Sequence, residues 1–318
     1  MPLRLIAAFA LIVSSFTAHA AAVDTLLGEW TDAARAKRVV PYKIYVPQGA
    51  TTPAPVVIFS HGLGGNRDGA AYLLNHLAEN GYVAVAVQHP GSDTKTVFPG
   101  GRVNDAGLFS AISPAVAADR FNDIPFAIDE LASMNANDAR LKGRLDMTKL
   151  GMSGHSYGAI TTLALAGQGF GPNGGFSFAD DRIQAAIAYS PSKPKQGDPA
   201  QAFAGIRMPT FHMTGTNDRN PLDSSDPPEN RQVAYRSIAN ADKYLIVFTG
   251  GDHMIFSGRS LQGELRTRDP GFHAWIKKAS LAFWDAYLRG NADAKAYLTG
   301  GKFAAELGGE GKFESQTR

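Results

Sequence analysis

From residue 39 onward, short apolar runs alternate with stretches of helical periodicity. Val39 to Val46 alternates apolar and polar positions in strand fashion and ends at Pro47. Residues 55–60 (PVVIFS) are continuously apolar, as a strand buried on both faces should be. Residues 68–80 place Leu73, Leu74 and Leu77 on one helical face, with Gly81 as a C-terminal stop. Residues 82–87 (YVAVAV) read as the next strand. Asp123 to Met134 reads as a helix with Pro125 in its first turn, where a missing N–H matters least. Lys149 to Ser153 reads as a buried strand and Ala159 to Ala166 as a helix packed close to its neighbours. Three further strands fall at 183–189 (IQAAIAY), 210–214 and 244–248 (YLIVF). A long helix runs from Gly271 to Leu288, apolar at Trp275, Ile276, Ala279, Phe283 and Tyr287. Strand–helix alternation predicts an α/β fold with a mostly parallel central sheet and helices on both faces. In such sheets a site forms at the carboxyl ends of the strands.

The first twenty residues stand apart. Arg4 is their only charge, Leu5 to Val13 is an apolar run too short to cross a bilayer, and Ala18-His19-Ala20 has the small-x-small form of a cleavage site. Residues 1–20 are expected to be a secretory signal peptide, and residues 21–318 a single domain, periplasmic or secreted and without stable membrane insertion. The chain has 318 residues, 44% of them hydrophobic, enough for a substantial core. A formal net charge of +2 gives no reason to expect a nucleic-acid partner. The absence of cysteine excludes a disulfide framework, a thiolate nucleophile and a cysteine metal site.

The most informative stretch is Gly154-His155-Ser156-Tyr157-Gly158, a G-x-S-x-G turn between a strand and a helix. Such a turn holds its serine in a strained backbone conformation with the oxygen exposed, and side chains at 154 or 158 would collide where helix and strand cross. A serine hydroxyl needs a base and an orienting carboxylate to act as a nucleophile. Of eight histidines, His61, His89 and His253 fall in loops after strands, and only His253 follows both the serine and the last central strand. Asp218, after the strand at 210–214, is the best acid. Asp252 adjoins the histidine, Asp223 and Asp226 sit in a proline-rich loop, and Asp198 is a further rival. The order Ser156, Asp218, His253 fits the chain order of this motif. A tetrahedral intermediate also needs two backbone N–H donors. Tyr157 supplies one; the other comes from His61-Gly62-Leu63-Gly64-Gly65, with Leu63 preferred and Gly62 its rival. No metal or organic cofactor is called for. Residues 91–118 form a long insertion that reads equally as a pocket wall or lid and as a packed surface loop.

At these residues the chain resembles the α/β-hydrolase superfamily, and within it the dienelactone hydrolase and platelet-activating-factor acetylhydrolase-like esterases, bacterial polyester hydrolases included. PVVIFSHGLGGNRDG carries most of the likeness, which covers roughly residues 35–290. Two departures matter. Dienelactone hydrolases use a cysteine nucleophile, which this chain lacks. Some acetylhydrolase-like members carry the acid one strand earlier, where this chain has Ser190-Pro191-Ser192, and that strengthens Asp218. The resemblance implies hydrolysis of small or polymeric carboxylic esters through an acyl-enzyme. A serine peptidase or amidase on the same fold, and an exported binding protein, are the alternatives.

Overall fold

The computed structural model describes residues 21–171, 174–223, 225–258 and 267–318. The expected signal segment therefore lies outside the described residues. Among the described residues eleven strands are formed: β1 (Val23–Asp32), β2 (Arg38–Pro47), β3 (Ala54–Ser60), β4 (Val83–Val87), β5 (Leu145–His155), β6 (Gly169–Phe170), β7 (Phe176–Ser177), β8 (Ile183–Tyr189), β9 (Thr210–Asn217), β10 (Lys243–Asp252) and β11 (Gly311–Gln316). Nine build one sheet in the order β1-β2-β4-β3-β5-β8-β9-β10-β11; β6 and β7 form a separate small hairpin. The six strands from β4 to β10 pair in parallel. The outer pairings β1–β2, β2–β4 and β10–β11 are antiparallel.

The pleat explains the continuous apolar runs. In β3, Val57 and Phe59 pack on one face with the helices Ala71–Glu79 and Asp269–Leu288. Val56 and Ile58 pack on the other with the helix Pro114–Asn137. Both sets are buried, so no polar alternation survives in the sequence. The helix Tyr157–Leu165 sits on this second face, its Ala159 and Leu163 against Ala186 and Ala188 of β8.

Several expectations need correction. The helix expected from Asp123 begins at Pro114, where Ser113 Oγ accepts from the Val116 N–H. Pro114 takes the first helical position, so Pro125 lies inside the helix and not in its first turn. The Ser113 side-chain cap is what sets the start at Pro114. Thr249 to Asp252, expected as a loop, continues β10 past an irregularity between Phe248 and Asp252, and His253 opens a short 3-10 turn, His253–Phe256. The sequence reading placed no strand at β1 or β11.

Helix and sheet meet most closely where Gly158 crosses the end of β3. A Cβ added at Gly158 would overlap the Ser60 carbonyl oxygen, and one at Gly154 would overlap the Gly158 carbonyl. Gly158→Ala is expected to destabilise the protein by about 3 kcal/mol or more. Gly271→Ala, whose added Cβ meets nothing within 4 Å, is expected to be neutral or slightly stabilising. Equal urea midpoints for the two variants would contradict this crossing.

Burial makes the fold acid-sensitive at four enclosed histidines among the described residues. It pulls the pKa of His89 from 6.5 to about 4, those of His155 and His212 to about 3, and that of His61 well below its usual value. Below pH 6.5 the unfolded chain takes up protons that the folded chain refuses, so stability falls as pH drops. Urea midpoints are expected to hold steady above about pH 7 and to decline from about pH 6.5 toward 3. A profile flat from pH 7 to 4 would show that these rings protonate freely inside the fold.

Candidate active site

Ser156 occupies the turn between β5 and the helix Tyr157–Leu165, with φ 56° and ψ −113°. A non-glycine residue in this region is strained. Two features hold it there. Its N–H donates to Tyr189 O at the end of β8 (2.9 Å), and the Gly154–Gly158 crossing leaves no room for the turn to relax. Ser156 and Tyr157 remain partly exposed while Gly154, His155 and Gly158 are buried.

Ser156 Oγ lies 2.9 Å from His253 Nε2, and His253 Nδ1 lies 2.8 Å from Asp218 Oδ1. The three elements expected to converge therefore do, from the ends of β5, β9 and β10. Asp218 is fully buried. Burial works against its charge, but the hydrogen bond from His253, the Arg231 cation and the Ser190 hydroxyl hold its carboxyl below the usual value. The carboxylate thus accepts from Nδ1–H and fixes the tautomer whose Nε2 accepts the serine proton. This line can move a proton from hydroxyl to imidazole and stabilise the cation that results. The rivals are placed elsewhere. Asp252 caps the turn after it by accepting from Met254 N–H (2.9 Å). Asp223 accepts from Ser225, Asp226 from Asn220 and Asn230, and Asp198 from Ala200 N–H.

Four further residues attend this line that the motif's chemistry does not call for. Ser190, itself at φ 54°, donates to Asp218 Oδ1 (2.9 Å) and lies 2.8 Å from His253 Nδ1. Arg231, almost fully buried, sets its Nε 3.4 Å from Asp218 Oδ1. His155, kept neutral by burial, lies with Nε2 2.8 Å from the His253 carbonyl, which an Nε2–H satisfies. Thr214 Oγ1 donates to Asp218 Oδ2 (2.8 Å). The segment Ser190-Pro191-Ser192, noted in the sequence only for lacking a carboxylate, was the one available signal.

The loop after β3 passes beside the serine: a Cβ added at Gly62 would stand 3.4 Å from Ser156 Cβ. Among the described residues, neither the Leu63 nor the Tyr157 N–H has an acceptor. The loop is strapped from outside. Gly64 N–H donates to Ser92 O (2.9 Å), Thr94 N–H to Gly65 O (2.8 Å), and the Phe98 ring lies over Gly64. The start of the 91–118 insertion is thus a wall against this loop, whereas Val103 and Phe109 face solvent. His61 and His89 are interior. His61 Nε2 accepts from His89 N–H (3.0 Å) and its Nδ1–H donates to Gly62 O (2.7 Å). His89 lies between Ser60 and Asp123 at 2.9 Å from each, a second Ser, His and Asp in line, but all three are fully buried. Among the described residues no three His, Cys, Asp or Glu side chains gather as a metal would need, and no helix is long and apolar enough to cross a membrane.

Known proteins can be set beside this geometry. The family model for platelet-activating factor acetylhydrolase, isoform II, matches residues 33–98, the stretch from β2 through the loop after β3 to Phe98. Platelet-activating factor acetylhydrolase of Cavia porcellus is 24% identical over 281 residues, covering 78% of this chain; the chain spans 61% of that relative's length. A solved ferulic acid esterase from Streptomyces cinnamoneus superposes with a TM-score of 0.63 at 22% identity, over 85% of this chain and 91% of that one. The sheet order, the strained serine between strand and helix, and this superposition agree: the chain has the α/β-hydrolase fold.

Proposed function

We propose that the protein hydrolyses carboxylic esters through an acyl-enzyme. The observation that carries this reading is the unbroken line Ser156–His253–Asp218 at 2.9 and 2.8 Å, anchored on a serine held at positive φ. The similarity to an acetylhydrolase and to an esterase supports the same chemistry. Ser156 Oγ attacks the ester carbonyl carbon while His253 Nε2 takes its proton, and the carbonyl oxygen becomes an anion facing the Tyr157 and Leu63 N–H groups. Collapse of this intermediate breaks the bond to the alcohol oxygen, which leaves with the proton from His253. Water then attacks the acyl-enzyme, giving one proton to His253. The acid departs as Oγ recovers that proton. Asp218 stays ionised throughout and stabilises the imidazolium. No step needs a metal or organic cofactor. Export of residues 21–318 by a cleaved signal peptide completes the reading, with a small or polymeric ester as substrate.

A fluorophosphonate probe is expected to label the protein at Ser156, and Ser156→Ala to lower kcat by about 10⁵-fold or more. Labelling that survives Ser156→Ala would overturn the nucleophile. Asp218→Asn is expected to lower kcat by roughly 10⁴-fold. Ser190→Ala is expected to lower it by only about ten- to hundredfold, because one hydrogen bond to a charged group contributes about 1.5 to 3 kcal/mol. A loss at Ser190→Ala equal to that at Asp218→Asn would move the acid's function to the β8 end. Nitrophenyl esters of increasing acyl length, with matched amides and a polyester film alongside, then identify the substrate. Amides cleaved as fast as esters would replace the esterase with a peptidase or amidase.

A further inference from the structure

Arg120 is fully buried in the helix Pro114–Asn137. Asp123, one turn further on, pairs with Arg35 and Arg38. Among the described residues, the guanidinium of Arg120 bonds only neutral oxygens: Thr161 Oγ1 (3.3 Å), Ser92 Oγ (2.8 Å), Ser60 Oγ (2.9 Å) and His61 O (2.5 Å). Its carbon also stands 4.3 Å from the centre of the Tyr157 ring. Enclosing a cation with no carboxylate against it is unfavourable, and such a group is weak evidence for a contribution to stability. The cost is visible in the pKa, which burial pulls down to about 10. What the arrangement provides is connection. His61 and Ser60 begin the loop that contains Leu63. Ser92 belongs to the strap that holds Gly64. Thr161, which also donates to Tyr157 O (3.2 Å), and the Tyr157 ring belong to the first turn after the serine.

We propose that Arg120 is a positioning residue that holds the Leu63 and Tyr157 N–H groups aimed at one point, so that both meet the anion of the tetrahedral intermediate; this rests on the hydrolytic reading of Ser156 given above. The buried Ser60–His89–Asp123 line fits this role. Asp123 accepts from His89 Nδ1–H, neutral His89 Nε2 accepts from Ser60 Oγ–H, and the Ser60 lone pairs are left for Arg120. Every donor in the chain then has one acceptor, and the fork of Arg120 has a single orientation. Lysine, with one nitrogen on a flexible stem, cannot reach the loop, the strap and the helix together.

The test separates binding of the anion from binding of the ester. Arg120→Gln, Arg120→Lys, Thr161→Val and Ser92→Ala are compared by kcat and KM on a nitrophenyl ester. Each is also titrated with an alkyl trifluoromethyl ketone, which adds Ser156 Oγ to form an anionic tetrahedral hemiketal, and with the non-cleavable ether matching the ester. Removing one oxyanion donor lowers kcat about 100- to 1000-fold, so misaiming two is expected to lower it roughly 100-fold in Arg120→Gln. KM and the ether's Ki are expected to stay within about threefold, while the ketone's Ki rises in proportion to the loss in kcat/KM. Arg120→Lys is expected to behave as Arg120→Gln, and the two single-bond variants to lose about three- to tenfold along the same line. Four results would overturn the proposal: a folded Arg120→Gln with kcat within threefold of the parent, equal losses for ketone and ether, full rescue by lysine, or single-bond variants off the common line. Should Arg120→Gln fail to fold, Thr161→Val and Ser92→Ala decide the matter alone, since both leave the cation in place. A parent protein that neither binds the ketone nor takes the fluorophosphonate would instead remove the hydrolytic reading, and the role of Arg120 with it.

Discussion

The absence of a side chain at Gly158 is the constraint on which the rest of the structure depends. Because nothing intervenes, the first turn of the helix Tyr157–Leu165 rests directly on the end of β3. That contact forces the chain between β5 and the helix into a turn too sharp for ordinary backbone angles, and Ser156 takes up the strain. It also brings the first residues of the loop after β3 alongside the serine. The nucleophile candidate and the loop facing it are thus set by one backbone-to-backbone contact, and side chains are added around a geometry already fixed.

The acid end of the line is built differently, from accumulated polar contacts. Asp218 is buried, which alone would drive it toward neutrality. It remains ionised because His253, Ser190, Thr214 and Arg231 all address its two oxygens. Removing any one neutral partner leaves the others, so this end is redundant where the turn at Gly158 is not.

What could be read from the sequence divides along the same line. The parallel strands were legible because burial on both faces erases polar alternation, and PVVIFS and IQAAIAY show it plainly. The serine turn was legible because its steric demand needs glycines at fixed positions. Ser156, Asp218 and His253 followed from chain order. β1 was not legible: it is an edge strand with one face in water, and Leu27 points outward at 56% exposure. The helix start at Pro114 was masked by a second proline at 125. Ser190, Arg231 and Arg120 escaped for a deeper reason. Each acts across 28 or more residues or from a different element, and no spacing in the chain encodes a contact that only the folded sheet creates. His155 hid inside the motif itself, where its position explained its presence.

That histidine links two loops that the sequence separates by 98 residues. The turn holding Ser156 and the turn opened by His253 share a hydrogen bond, a ring contact of 4.8 Å between His155 and His253, and a second ring contact between His155 and Phe256. The strap that carries Phe98 comes from a separate segment, the insertion whose Val103 and Phe109 face solvent. One hydrogen bond and one ring contact thus tie together two of the segments on which the proposed chemistry rests. Substitutions at the solvent-facing Val103 and Phe109 therefore leave that joint in place.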